Sequence, residues 1–230
     1  MPEPQQVTSM RALEASRAAF VARLTAAATH ELRNVLAIVK ESAGLVQDLR
    51  AMGASADGRA DAALGRIEAQ VGRGAELLTS LNRLAHGLDR DEESVDLAEA
   101  ARHVTVLCRR YARQWERSVE ARGEGAVLAR ANALDVYRAL VAGVEWCVEV
   151  VPEGGTVVVR AESVDGNPTV RLAGELPVAG VADGAVPDGT ATRVAAEPAR
   201  DADWPALEAS LGGLPARVVR DGAWFSLLFE

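Results

Sequence analysis

Between residues 9 and 52 the apolar positions return every three or four residues, and no proline interrupts them. Set at about 100° per residue, Phe20, Val21, Leu24, Ala28, Leu32, Val35, Ile38, Val39, Val46 and Leu49 fall on one broad arc. His30, Asn34, Ala37, Glu41 and Asp48 fall opposite. The pattern predicts one long helix, capped by Ser9, with His30 on the face turned from the core. A glycine-flanked turn at residues 53–58 leads into a second helical pattern that runs to about Leu88. Its positions Leu64, Ile67, Val71, Leu78, Leu81, Ala85 and Leu88 form a seam suited to antiparallel packing on the first helix. The apolar arc of such a hairpin is wider than one partner helix covers, so two copies closing a four-helix bundle, a homodimer, is the expectation.

After a polar run at residues 89–94 the pattern changes, which divides the chain into residues 1–90 and 95–230. An amphipathic helix through Leu97, Ala101, Val104, Leu107 and Cys108 ends near Trp115. Strand candidates follow at 118–121 and 126–129, and Asn132 caps another helix through Val148. Pro152-Glu153-Gly154-Gly155 turns into a valine-rich strand at 156–163, with a hairpin partner at 169–173 across residues 165–168. Residues 174–203 read as a long loop with one short strand near 192–195. A helix at 204–211, stopped by Gly212-Gly213, and a closing hairpin of 215–220 and 224–229 complete an α+β arrangement.

Composition narrows the functions. Hydrophobic residues make up 49% and charged residues 25% of the chain, enough for a packed core. A formal charge of -8 opposes general affinity for nucleic acid. Cys108 and Cys147 have no metal-ligand spacing and read as buried apolar side chains in a reducing compartment. No apolar run approaches the ~20 residues that cross a bilayer, and no signal-peptide pattern opens the chain, so a cytoplasmic protein without membrane contact is expected.

The candidate chemistry lies at residues 29–36. A histidine with the ordinary pKa of ~6.5 is mostly neutral at pH 7, and one ring nitrogen can attack phosphorus. Glu31 can accept a hydrogen bond from the other ring nitrogen, and Asn34, one turn on, can hold a water or a phosphoryl oxygen. Arg33 and Lys40 add positive charge favourable to a phosphoryl group. His86 and His103 read as structural, and Trp115, Trp146, Trp204 and Trp224 as core or interface aromatics. No serine-hydrolase elbow is present.

This grouping resembles the phosphoacceptor box of two-component histidine kinases, whose helix carries His-Glu-x-Arg-Asn/Thr-x-Leu in a dimeric hairpin. Thr29, His30, Glu31, Leu32, Arg33, Asn34 and Leu36 match it, whereas Val35 stands where many members carry a helix-bending proline. Val95-Asp96-Leu97 is similar to the start of that family's ATP-binding domain, and the order of later elements follows it. The ATP-handling residues depart. Counting back from Pro152, Ala142 and Trp146 stand where such kinases keep two asparagines for magnesium and phosphate, and an indole offers Mg²⁺ no oxygen. Leu172-Ala173-Gly174-Glu175-Leu176 replaces the DxGxG box. Asp201-Ala202-Asp203-Trp204-Pro205 replaces the glycine-rich box that wraps phosphates.

The whole resembles bacterial histidine phosphotransferases built from a kinase-like dimer with a degenerate ATP domain. That resemblance implies an α+β chain: an N-terminal antiparallel helical hairpin forming a dimeric four-helix bundle, then a degenerate histidine-kinase-like α/β sandwich. It implies a phosphorelay in which His30, aided by Glu31 and Asn34, shuttles a phosphoryl group between the aspartates of response-regulator receiver domains. No cofactor is then bound by this chain, and Mg²⁺ is carried by the receiver. No sensor-like segment is expected before Thr8. Two other readings stay open: a divergent kinase or phosphatase, in which Asn34 orients water, and a non-catalytic scaffold for a two-component partner.

Overall fold

The computed structural model describes residues 4–52, 58–87, 93–123, 125–177, 193–198, 203–222 and 224–229. The chain divides into two compact units, Met1–Arg83 and Leu84–Glu230. Much of the polar run at 89–94 lies outside the described residues, as does most of the turn at 53–58.

The first unit is a helical hairpin. Helix α1 spans Pro4–Ala51 and α2 spans Arg59–His86. A proline is tolerated in the first turn, where its missing N–H has no partner to lose, and α1 starts there. Ser9 therefore lies inside the helix and is not its cap. The expected arc of α1 is the buried one: Phe20, Leu24, Ala28, Val35, Val46 and Leu49 are buried, and Val21, Leu32, Ile38 and Val39 half-buried.

On α2 the seam differs from the expectation. Leu64, Val71 and Leu78 are exposed, at 45%, 57% and 55%. The covered strip runs through Ala63, Ile67, Gln70, Gly74, Leu77 and Leu81, about one position earlier. Small side chains decide it. A Cβ built at Gly74 would stand 3.4 Å from Val35 Cγ1 and 3.9 Å from Leu32 Cδ2, so α1 approaches α2 where α2 is thinnest. Val35 and Gly74 lie at matching distances from the connection, as antiparallel helices require. The buried Ser80 hydroxyl donates to Glu76 O at 2.9 Å and so is satisfied within its own helix.

The second unit is an α/β sandwich. Its six-stranded sheet has the order β2(Ser118–Arg122), β4(Thr156–Val164), β5(Asn167–Pro177), β8(Trp224–Phe229), β7(Ala216–Asp221), with β6(Arg193–Ala195) paired to β5. Among the described residues, only β2 and β4 pair in parallel. Helices α3(Leu97–Gln114) and α4(Ala133–Val150) pack on the sheet, and α5(Trp204–Leu211) packs on α4. Period-two alternation sends Val157, Val159, Ala161, Val170, Leu172, Phe225 and Leu227 into the core and leaves Arg160 and Arg171 exposed. Gly143 of α4 lets the helix close on the sheet, since a Cβ there would reach Leu172 Cδ2 at 3.0 Å.

Local signals were obeyed where they were strong. The Asn132 side chain accepts from Asp135 N and caps α4, and Asp165 and Gly166 both take positive φ in the tight turn between β4 and β5. Trp204–Leu211 and Trp224–Phe229 fall where the pattern placed them. Three differences stand out. Strand β1(Glu93–Asp96) occupies part of the expected hinge and pairs with β3(Leu128–Ala131), which begins two residues later than expected. Strand β5 continues to Pro177, well past residue 173. Residues 178–192 and 199–202 of the expected loop lie outside the described residues. No helix among the described residues is long and apolar enough to cross a membrane.

Gly174 shows how tightly this unit is closed: a Cβ there would fall 2.4 Å from the Trp224 ring and 2.8 Å from Val151 Cγ2. Gly174→Ala is expected to lower stability by about 1–3 kcal/mol through overpacking. Urea unfolding reads this as a lower midpoint at unchanged slope, and an unmoved midpoint would contradict the packing.

Candidate functional site

Helix α1 places the candidate residues by its period. His30 and Asn34 are exposed on the same face, one turn apart, and the Asn34 amide nitrogen lies 3.4 Å from His30 Nδ1. Arg33 is exposed beside them. Lys40 is exposed as well but lies ten residues on, or about 15 Å along the axis, so the helix does not bring it to the His30 ring. Glu31 is drawn to the other side: at 9% exposure it is buried with the packed face of α1, between Ala28 and Val35. The structure thus brings His30 and Asn34 together, and the side chain that touches the ring is the amide rather than the adjacent carboxylate.

The other histidines sit apart from this face in their bonding. His103 Nε2 lies 3.5 Å from Glu99 Oε1, one turn back on α3, and His86 is exposed at the last residue of α2. Both cysteines are buried, and burial pushes the Cys147 thiol well up.

In the second unit, the segments that depart from an ATP site meet one another. Trp146 is buried on α4, its ring 4.7 Å from Trp204 and 5.3 Å edge-on from Phe225. Its indole Nε1 donates to Asp203 O at 3.1 Å. The Asp203 side chain in turn accepts from Ala206 N and caps α5, with Pro205 in the first turn. Arg220 lies over the outer side of the cluster, Cζ 4.7 Å from the Trp204 ring, and donates to Glu208. The carboxylate of the 172–176 segment, Glu175, is paired with Arg122 at 2.9 Å, and Leu172 is fully buried under Gly143. Burial lowers and the two carboxylates Glu120 and Glu175 raise the Arg122 pKa, with a net rise. Side chains of the chain itself fill the space between α4 and α5. Sequence reasoning marked Trp146 and Trp204 as core or interface aromatics but not their pairing, nor Phe225, because these residues are distant in sequence and carry no spacing signal.

No family model matches this chain, and no curated protein matches it. Among solved structures it is similar to one described as a bacterial phosphotransferase, 16% identical, covering 93% of this chain and 97% of that one, with a TM-score of 0.47. It is similar to the Acinetobacter baumannii histidine kinase AdeS, 14% identical, covering 87% and 96%, with a TM-score of 0.40. It is also similar to the histidine kinase ThkA in complex with the response regulator TrrA, 15% identical, covering 100% and 66%, with a TM-score of 0.39.

Truncating Trp146 removes its ring contact with Trp204 and its hydrogen bond to Asp203 O, which tie α4 to α5. Trp146→Ala is expected to cost about 3–5 kcal/mol, seen as a lowered denaturation midpoint. A loss below about 1 kcal/mol would mean that the cluster does not hold α5.

Proposed function

We propose that this chain is a histidine phosphotransfer protein that takes a phosphoryl group from the aspartate of one receiver domain and returns it to another through His30. The observation that carries the reading is an exposed histidine in a match to the phosphoacceptor box, with an amide beside its ring. Exposure matters because the aspartyl phosphate and the ring nitrogen must align in line within a protein complex, and positioning supplies most of the rate. Arg33 offers the incoming phosphoryl group positive charge. Mg²⁺ belongs to the receiver in this scheme. Buried Glu31 supports the acceptor helix from within.

The same reading gives the chain no role for ATP. A buried indole stacked on Trp204 stands where the resemblance expects an oxygen ligand, and Glu175 is engaged by Arg122. A second reading, a divergent kinase or receiver phosphatase, draws on Asn34, whose amide can orient an attacking water as well as a phosphoryl oxygen.

The partner on the hairpin is a second copy. Leu64, Val71 and Leu78 repeat at seven residues along an exposed strip of α2, and Leu36 of α1 is 65% exposed. A strip of heptad period is the seam that closes a bundle rather than a scatter of single apolar residues. Val71→Glu with Leu78→Glu is therefore expected to convert a dimer into a monomer in sedimentation equilibrium; a wild-type monomer would remove this part of the proposal.

For the transfer itself, a panel of receiver domains carrying labelled aspartyl phosphate is incubated with the protein. Label is expected on wild-type chain and absent from His30→Ala. Label that persists in His30→Ala, or never reaches wild type, defeats the assignment.

A further inference from the structure

Helix α3 runs against the charge of its own chain. The protein carries a formal charge of -8, yet Leu97–Gln114 holds four arginines against one glutamate. At about 100° per residue, Arg102, Val106, Arg109 and Arg113 fall within an arc of about 60°, with Arg110 on its flank. That arc is left to solvent: Arg102, Arg109 and Arg113 are exposed and Val106 and Arg110 half-buried, while Ala101, Val104, Leu107 and Cys108 are buried opposite. The one acid of the helix, Glu99, lies 3.5 Å from His103 Nε2. Tyr111, nearly opposite the arc, donates to Glu149 of α4 at 3.0 Å. Arginine is a good helix former, and a cation in the last turn suits the helix dipole, which accounts for Arg113. Neither reason lines up Arg102 and Arg109 with it on one face.

We infer that this face of α3 is a docking surface for an acidic helix on another protein. The row spans eleven residues, or about 16 Å along the axis, which about three turns of a partner helix match. Guanidinium forks pair with carboxylates through two parallel hydrogen bonds and are only weakly hydrated, so little is lost in bringing them together. Half-buried Val106 stands between Arg102 and Arg109 and gives the row an apolar centre. Nucleic acid fits less well. A duplex carries one charge per about 1.7 Å and runs on beyond the row, and residues 89–96, just before α3, hold five acids and one arginine. A partner whose acid is confined to one helix avoids that repulsion. The surface belongs to the second unit and makes no use of His30, so it does not rest on the transfer reading.

The test measures fluorescence anisotropy of a labelled, alanine-based helical peptide with three glutamates at the spacings of the row, seven and four residues, added to the full chain. A peptide with lysines in place of the glutamates and a short DNA duplex are run beside it. Wild type is expected to bind the glutamate peptide, more weakly as salt rises, and not the lysine peptide. Arg102→Glu with Arg109→Glu should weaken the glutamate peptide about tenfold and gain binding of the lysine peptide, a reversal that loss of structure does not produce. Arg102→Gln with Arg109→Gln, which removes charge without reversing it, should weaken the glutamate peptide about threefold and keeps the test decisive if the reversed pair fails to fold. Absence of binding by wild type, or binding that neither double variant changes, overturns the inference. So does a duplex that binds more tightly than the glutamate peptide through the same arginines, since the face would then be a site for extended polyanions.

Discussion

The contact of Gly74 with Val35 and Leu32 fixes which faces of the two long helices are left to solvent. Once α1 lies against the thin strip of α2, the buried arc of α1 is set, and the helical period alone puts His30 and Asn34 outside it. The same contact turns Leu64, Val71 and Leu78 away from α1. One packing choice therefore yields an exposed histidine, its amide neighbour and an uncovered apolar strip. A larger residue at 74 would separate the helices and loosen all three together.

The second unit rests on a different kind of closure. Aromatic rings, a tryptophan donor bonded to a backbone carbonyl and a capped, proline-started α5 fill the ground between α4 and the following elements. Trp224, next to Phe225 in β8, repeats the device, buried against Gly174 with its indole donating to Ala196 O. Packing of this density leaves side chains few alternatives and resists change by even one methyl group.

How far the sequence foretold this follows from which signals are local. The arc of α1, the Asn132 cap, the glycine turn after β4 and the helix beginning at Trp204 are written in a few neighbouring residues, and each formed where the pattern placed it. The α2 seam was misplaced because its contact positions include Ala63 and Gly74, which carry little hydrophobicity yet permit the closest approach. Strand β1 was hidden by its polar residues and takes its identity from distant β3. Ser9 looked like a cap only because Pro4 was not read as a start. In the candidate site, the exposure of His30 and Asn34 was legible from period. The burial of Glu31 was missed, although it continues the spacing of Leu24, Ala28 and Val35; the contact expected of it with the ring goes to Asn34 instead. The pairing of Trp146 with Trp204 was not legible, because only the fold brings them together.

The central claim is that His30 is charged by another protein and not by nucleotide. Parallel ³¹P spectra of the purified protein, one with Mg-ATP and one with phosphorylated receiver domains, test it most directly. The account predicts a phosphohistidine resonance, absent from His30→Ala, with a receiver as donor, and none with Mg-ATP. A phosphohistidine resonance formed from Mg-ATP on His30 would contradict it and make the chain a kinase.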